Sequence, residues 1–90
     1  MATEDPVEVK VLFFGRAREL MDCDERRACL PRNVPYHRLK ELIFEEIFKD
    51  LNAISSSCVL AVDQKYVNDN KMVKLNEFSE VAIIPPLSGG

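Results

Sequence analysis

One segment of this chain, residues 36–51, carries apolar side chains at helical spacing, and every other patterned stretch is short and strand-like. Leu39, Leu42, Ile43 and Ile47 recur at intervals of three and four, which draws one apolar stripe along a helix. Arg38, Glu41, Glu45 and Lys49 fall on the opposite, solvated face, with Glu45 and Lys49 an i, i+4 pair in the favoured order. Phe44 and Phe48 widen the apolar side, so at least one of them is expected at the rim of a sheet. A single helix cannot cover both faces of a sheet. The economical solution is a sheet wrapped around the helix on one face and left partly open on the other.

The strands follow from period-two patterning. Val7, Val9, Val11 and Phe13 point one way, and Glu8, Lys10, Leu12 and Phe14 the other. Gly15 ends this strand, and residues 17–22 suit a short helical turn with Leu20 and Met21 tucked inward. Residues 25–30 form a second strand, paired most simply with the first as a hairpin, and Pro31 and Pro35 bound a loop. Beyond the helix, residues 52–57 are a polar loop and residues 58–62 a β-branched strand. Residues 64–67 are a short edge strand, Asn68-Asp69-Asn70 is turn chemistry, and residues 72–75 are too brief to assign. Residues 81–84 are the last strand, ended by Pro85-Pro86 because proline cannot donate to a ladder. The order predicts an α+β domain with a mixed sheet of about five strands packed on one main helix, the plan of a β-grasp, ubiquitin-like fold. Residues 1–6 are expected to be a disordered N-terminus, residues 7–86 the domain, and residues 87–90 a flexible tail.

Ninety residues supply one domain with one modest core. A net charge of −3 without a basic stripe argues against nucleic acid as ligand. No apolar run approaches a membrane span, and residues 1–6 lack the apolar region of a secretion signal, so a cytosolic protein is expected. Cys23, Cys29 and Cys58 are odd in number and irregular in spacing, which fits a reducing compartment without a disulfide framework. His37 is the one histidine and no Cys-x-x-Cys occurs, so no metal site is expected. Cys29 and Cys58 read as small buried residues inside strands. Cys23 reads as an exposed loop residue whose neighbours Asp22 and Asp24 oppose thiolate formation. With no phosphate-binding loop and no nucleophile–base pair, the chain is not expected to be catalytic alone.

The chemistry is expected in the tail. The chain ends Leu87-Ser88-Gly89-Gly90, after Ile83-Ile84-Pro85-Pro86. An α-carboxylate, with an ordinary pKa of about 3.3–3.7, is an anion at neutral pH and a poor electrophile. It must be activated, for instance as a mixed anhydride with a nucleotide, and nothing here binds nucleotide, so another protein has to do it. Residues 86–90 reach at most roughly 16–18 Å when extended. The prolines lower the entropy lost on ordering the tail, and Gly89 and Gly90 pass a constriction that any Cβ would block. A docking surface is expected beside it. With Val9, Val11 and Phe13 facing the helix, Leu12 and Phe14 face outward, joined by Ile84 or Ala82 and by Tyr66 from the edge.

Three stretches carry a family resemblance. Val9-Lys10-Val11-Leu12-Phe13-Phe14-Gly15 with Ala17-Arg18-Glu19-Leu20 resembles the start of the molybdopterin synthase small-subunit family. Glu80-Val81-Ala82-Ile83-Ile84-Pro85-Pro86-Leu87-Ser88-Gly89-Gly90 resembles its end, and Leu60-Ala61-Val62-Asp63-Gln64-Lys65-Tyr66-Val67 the strand–turn–strand between. The resemblance implies a sulfur carrier for molybdenum cofactor biosynthesis. Gly90 would be adenylated with ATP by a ubiquitin-activating-like enzyme, converted to a thiocarboxylate (a 1-thioglycine), and would donate its sulfur to cyclic pyranopterin monophosphate to build the dithiolene of molybdopterin. No cofactor would be bound by this chain. The implied partner is the large catalytic subunit, in a heterotetramer of two small and two large subunits. Gly89, Ser88 and Leu87 would form the tail, and Phe14, Arg18, Tyr66 and Ile84 match positions lining the partner interface. Two departures stand out. Phe78-Ser79-Glu80 replaces a usual Gly-Asp-Glu turn, where a Phe forced to positive φ would cost about 1 kcal/mol or more unless the turn is rebuilt. Asp63 replaces a common Asn, with little consequence expected. A thiamine-pathway sulfur carrier, a ubiquitin-like modifier that attaches Gly90 to lysines, and a plain interaction module remain as alternatives.

Overall fold

The structure, a computed structural model, describes residues 6–67 and 71–86. The expected turn at Asn68-Asp69-Asn70, the tail residues Leu87, Ser88, Gly89 and Gly90, and nearly all of the expected N-terminal segment lie outside the described residues.

Strand β1 (Val7–Phe13) buries Val7, Val9, Val11 and Phe13, as the alternation requires, and pairs antiparallel with β2 (Glu25–Leu30). Between them helix α1 (Gly15–Met21) stops at Asp22, which takes a left-handed conformation and donates its N–H to the Arg18 carbonyl at 2.8 Å. Leu20 and Met21 pack partly buried against the core. β1 also pairs in parallel with β7 (Glu80–Ile84), which pairs antiparallel with β4 (Val59–Val62). The two-residue β5 (Lys65–Tyr66) closes the far edge, so the sheet order is β2-β1-β7-β4-β5. This is the predicted mixed five-stranded β-grasp sheet.

A second, two-stranded sheet departs from the sequence reading. β3 (Asn33–Pro35) pairs antiparallel with β6 (Met72–Lys74), so the loop expected between Pro31 and Pro35 contains a strand and the unassigned 72–75 stretch is its partner. Val34 and Val73, opposite one another, are both buried.

The main helix is shorter and less regular than expected. Helix α2 (Tyr36–Glu41) continues through a π-helical segment, Leu42–Ile47, closed by Phe48 N–H donating to the Ile43 carbonyl at 2.8 Å. Lys49–Ser57 is then 3₁₀-helical, where sequence gave the last helical turn and a polar loop. The π segment rotates the helix, so Phe44 and Phe48 are both buried while Ile47, placed on the stripe by strict periodicity, is exposed. The Phe13 and Phe48 rings meet edge to face at 5.2 Å, tying helix to sheet. The Glu45–Lys49 ion pair is absent among the described residues because Lys49 lies beyond the helix. Arg38 instead meets Glu41 and Glu46, each at 3.1 Å. Glu41 and then Glu46 hold the Arg38 guanidinium pKa above its ordinary value.

Candidate functional site

The helix covers one face of the sheet, and the residue parity set by β1 decides what the other face shows. Opposite the core, β1 presents Glu8, Lys10 and Leu12, and β2 presents Glu25, Arg27 and Cys29. From β7 come Glu80, Ala82 and Ile84, and from β4 Val59 and Ala61. This face is divided. Its β2 side is charged, with Arg27–Glu8 at 3.6 Å and Lys10–Glu80 at 3.9 Å. Its β4–β5 side is apolar.

On that apolar side Leu12, Phe14, Ala61, Tyr66, Ala82 and Ile84, with Gln64 and Glu80 at the border, line an open hollow of about 250 Å³. Phe14 is 48% exposed and Tyr66 74%, large apolar surface for a chain of this size to leave in water. The backbone fixes the end of the hollow where β1 and β7 finish. Phe14 N–H donates to the Ile83 carbonyl at 3.3 Å, locking the end of β1 to the end of β7. The chain then turns at Gly15, φ +53°, where a Cβ would stand 3.5 Å from Pro85 Cγ. The positive φ, not a lack of space, calls for glycine here, and Pro85 lies at van der Waals distance from the β1–α1 turn.

The structure brings Phe14, Tyr66 and Ile84 together as the sequence predicted. Arg18 is not among the residues lining the hollow. Its exposed guanidinium lies 3.8 Å from Asp24. Gly90, Gly89, Ser88 and Leu87 lie outside the described residues. Ala61, Gln64 and Glu80 were missed; each becomes visible once β4 and β7 are registered through Ala61 opposite Ala82.

The cysteines divide differently from expectation. Cys58 is buried, and burial pushes its thiol pKa up, partly offset by the Lys40 ammonium. Cys29, expected inside, is exposed because it sits opposite Glu8 on the outward parity of β2. Cys23, expected exposed, is half-buried against the core and accepts a hydrogen bond from Arg26 Nε at 3.4 Å. No cluster of metal-ligating side chains occurs among the described residues. No described helix is long and apolar enough to cross a membrane.

The ThiS family pattern matches residues 11–90. The chain belongs to the ThiS family. A molybdopterin synthase sulfur carrier subunit from Caenorhabditis briggsae is 43% identical over 84 residues, covering 93% of this chain and 99% of that protein. Among solved structures, a Pyrococcus furiosus protein provisionally described as molybdopterin converting factor subunit 1 superposes with a TM-score of 0.67. It is 27% identical and covers 90% of this chain and 99% of its own. A chain from the complex of molybdopterin-converting factor subunits 1 and 2 of Helicobacter pylori superposes at 0.63. At 18% identity, over 92% of this chain and 99% of its own, it shows the shared fold. The β-grasp prediction therefore holds for this ThiS family member in both its own topology and its likeness to solved folds.

Proposed function

We propose that this chain is the sulfur carrier subunit of a cytosolic molybdopterin synthase. The observation that carries the reading is the continuity of hollow and tail. Ile84 lines the hollow, Pro85 and Pro86 follow it, and the sequence then runs Leu87-Ser88-Gly89-Gly90. A protein resting on the hollow lies within the roughly 16–18 Å that residues 86–90 can reach. Support comes from the 43% identical relative, named as a molybdopterin synthase sulfur carrier subunit, and from the Helicobacter pylori fold, solved in a complex of the two factor subunits.

In this reading the carrier contributes binding and delivery, while its partners contribute catalysis. An activating enzyme joins the Gly90 carboxylate to AMP from ATP, releasing pyrophosphate. A sulfur donor then displaces AMP and leaves a thiocarboxylate. The large subunit takes the tail, sulfur passes to cyclic pyranopterin monophosphate, and Gly90 returns to a carboxylate. Two such transfers complete the dithiolene, in an assembly of two small and two large subunits. The hollow docks each partner in turn.

Intact mass after incubation with an activating enzyme, ATP and a sulfur donor tests the proposal. Exchange of one oxygen for sulfur adds about 16 Da. A variant lacking Gly90 should gain nothing. No gain in the full chain, under conditions that charge a related carrier, overturns the reading.

A further inference from the structure

Phe78 is 87% exposed, the most exposed large apolar side chain among the described residues, and it does not line the hollow. Its turn is tightly built. Phe78 N–H donates to Asn76 Oδ1 at 2.8 Å, Ser79 N–H to the Asn76 carbonyl at 3.0 Å, and Asn76 N–H to Ser79 Oγ at 2.9 Å. Ser79 is the buried polar residue among those described, and its carbonyl accepts Lys10 N–H at 3.4 Å, which fastens the turn to β1. The turn has been rebuilt for the Phe: among the described residues, positive φ values fall at Gly15, Asp22, Asp63 and Gln64, not at Phe78. An aromatic ring held on a rigid turn loses little entropy when it enters a pocket.

The position of Phe78 supplies the second part of the argument. It lies in the turn just before β7 and borders a small hollow with Lys10, Arg27 and Glu80, which are on the outward face of the sheet. Glu80 borders both this hollow and the apolar one. Six residue steps, through the end of the turn and along β7, separate Phe78 from Ile84, at most roughly 20 Å. A standard interface of about 800 Å² per partner is roughly 30 Å across, so one partner spans both. The band between them is charge-paired through Lys10–Glu80 and Arg27–Glu8, so it can be covered without stranding an unpaired charge.

We infer that Phe78 is a second anchor of the docking surface, entering an apolar socket on the large synthase subunit while the same subunit covers the hollow at Phe14, Tyr66 and Ile84. This rests on the function proposed above.

The test is the affinity of the full chain for its large subunit, measured by calorimetry for wild type, Phe78→Ala, Phe78→Leu and Tyr66→Ala. Phe78→Ala should weaken binding at least about tenfold, as loss of an aromatic anchor does. Because the contact is apolar, the loss should persist in high salt. Phe78→Leu should recover a large part of it, and unchanged melting temperatures confirm that folding is intact. If Phe78→Ala binds within twofold of wild type while Tyr66→Ala is weakened, the second anchor is wrong and the carrier reading stands. If neither variant changes affinity, the docking surface itself is wrong.

Discussion

Asp63 and Glu80 hold one another by reciprocal hydrogen bonds. Asp63 N–H donates to the Glu80 carbonyl at 2.8 Å, and Glu80 N–H donates to Asp63 Oδ1 at 2.9 Å. Asp63 and Gln64 form the β4–β5 turn with φ of 52° and 70°, so this pair ties the turn that positions Tyr66 to the start of β7. Asp63→Ala removes the side-chain acceptor and puts a poor left-handed former at the turn. It should cost about 2 kcal/mol in urea denaturation. Asp63→Asn keeps an Oδ1 acceptor and tolerates positive φ, so it should stay within about 0.5 kcal/mol. That equivalence is the physical ground for expecting Asp63 in place of a common Asn to matter little.

Tyr66 lies on the short edge strand and lines the hollow, and it is too exposed to support the core. Tyr66→Ala should therefore change stability by less than about 0.5 kcal/mol. Affinity for the large subunit should fall at least about tenfold, roughly 1.4 kcal/mol. Calorimetry beside a thermal melt separates the two quantities. A melting temperature that falls in step with affinity would assign the residue to stability.

The sequence made the sheet readable where patterning was strict. Val7 to Phe14 alternates without a break, and its parity alone identified the outward Leu12 and Phe14. The β3–β6 pair was not readable, because each strand has three residues, one of them Pro35, and only pairing with a partner about forty residues away makes either a strand. Helix periodicity failed at the π segment, where the closing hydrogen bond spans five residues and rotates Phe44 and Phe48 inward past Ile47. Cys29 was misplaced because Ala28, Cys29 and Leu30 are all apolar, and the register against β1 decides which of them turns out. Phe78 was seen only as a departure from a usual turn. Its place in the turn before β7, beside the outward Lys10, Arg27 and Glu80, required the sheet.

The three thiols should react in a fixed order at neutral pH. Cys29 is exposed, Cys23 half-buried and Cys58 buried, so an alkylating reagent should modify them in that sequence, with Cys58 protected until the domain unfolds. Burial raises the Cys58 pKa in the folded state, so folding favours the neutral thiol. Its contribution to stability is complete below the ordinary thiol range, near pH 8.5, and is lost as pH rises through the folded value. Above about pH 9, wild type should lose stability more steeply than Cys58→Ala. Peptide mapping of the alkylated protein and urea melts across pH check the two statements.

The size of the tail should limit its charging more strictly than its length. A residue appended after Gly90 moves the reactive carboxylate about 3.3–3.6 Å further along the chain, a change that a few extended residues can absorb by bending. Any appended residue other than glycine also places a Cβ beside the carboxyl carbon, where Gly90 has none, and on the proposed function an activating-enzyme pocket that receives two glycines would exclude it. Appending glycine should therefore slow the gain of about 16 Da on incubation with activating enzyme, ATP and sulfur donor, whereas appending valine should abolish it. Both variants should keep the affinity of the hollow for the large subunit within a few fold, because Phe14, Tyr66 and Ile84 are untouched. A valine-extended chain that charges at the wild-type rate, with the added residue still present by mass, would remove the Gly90 carboxylate from the chemistry.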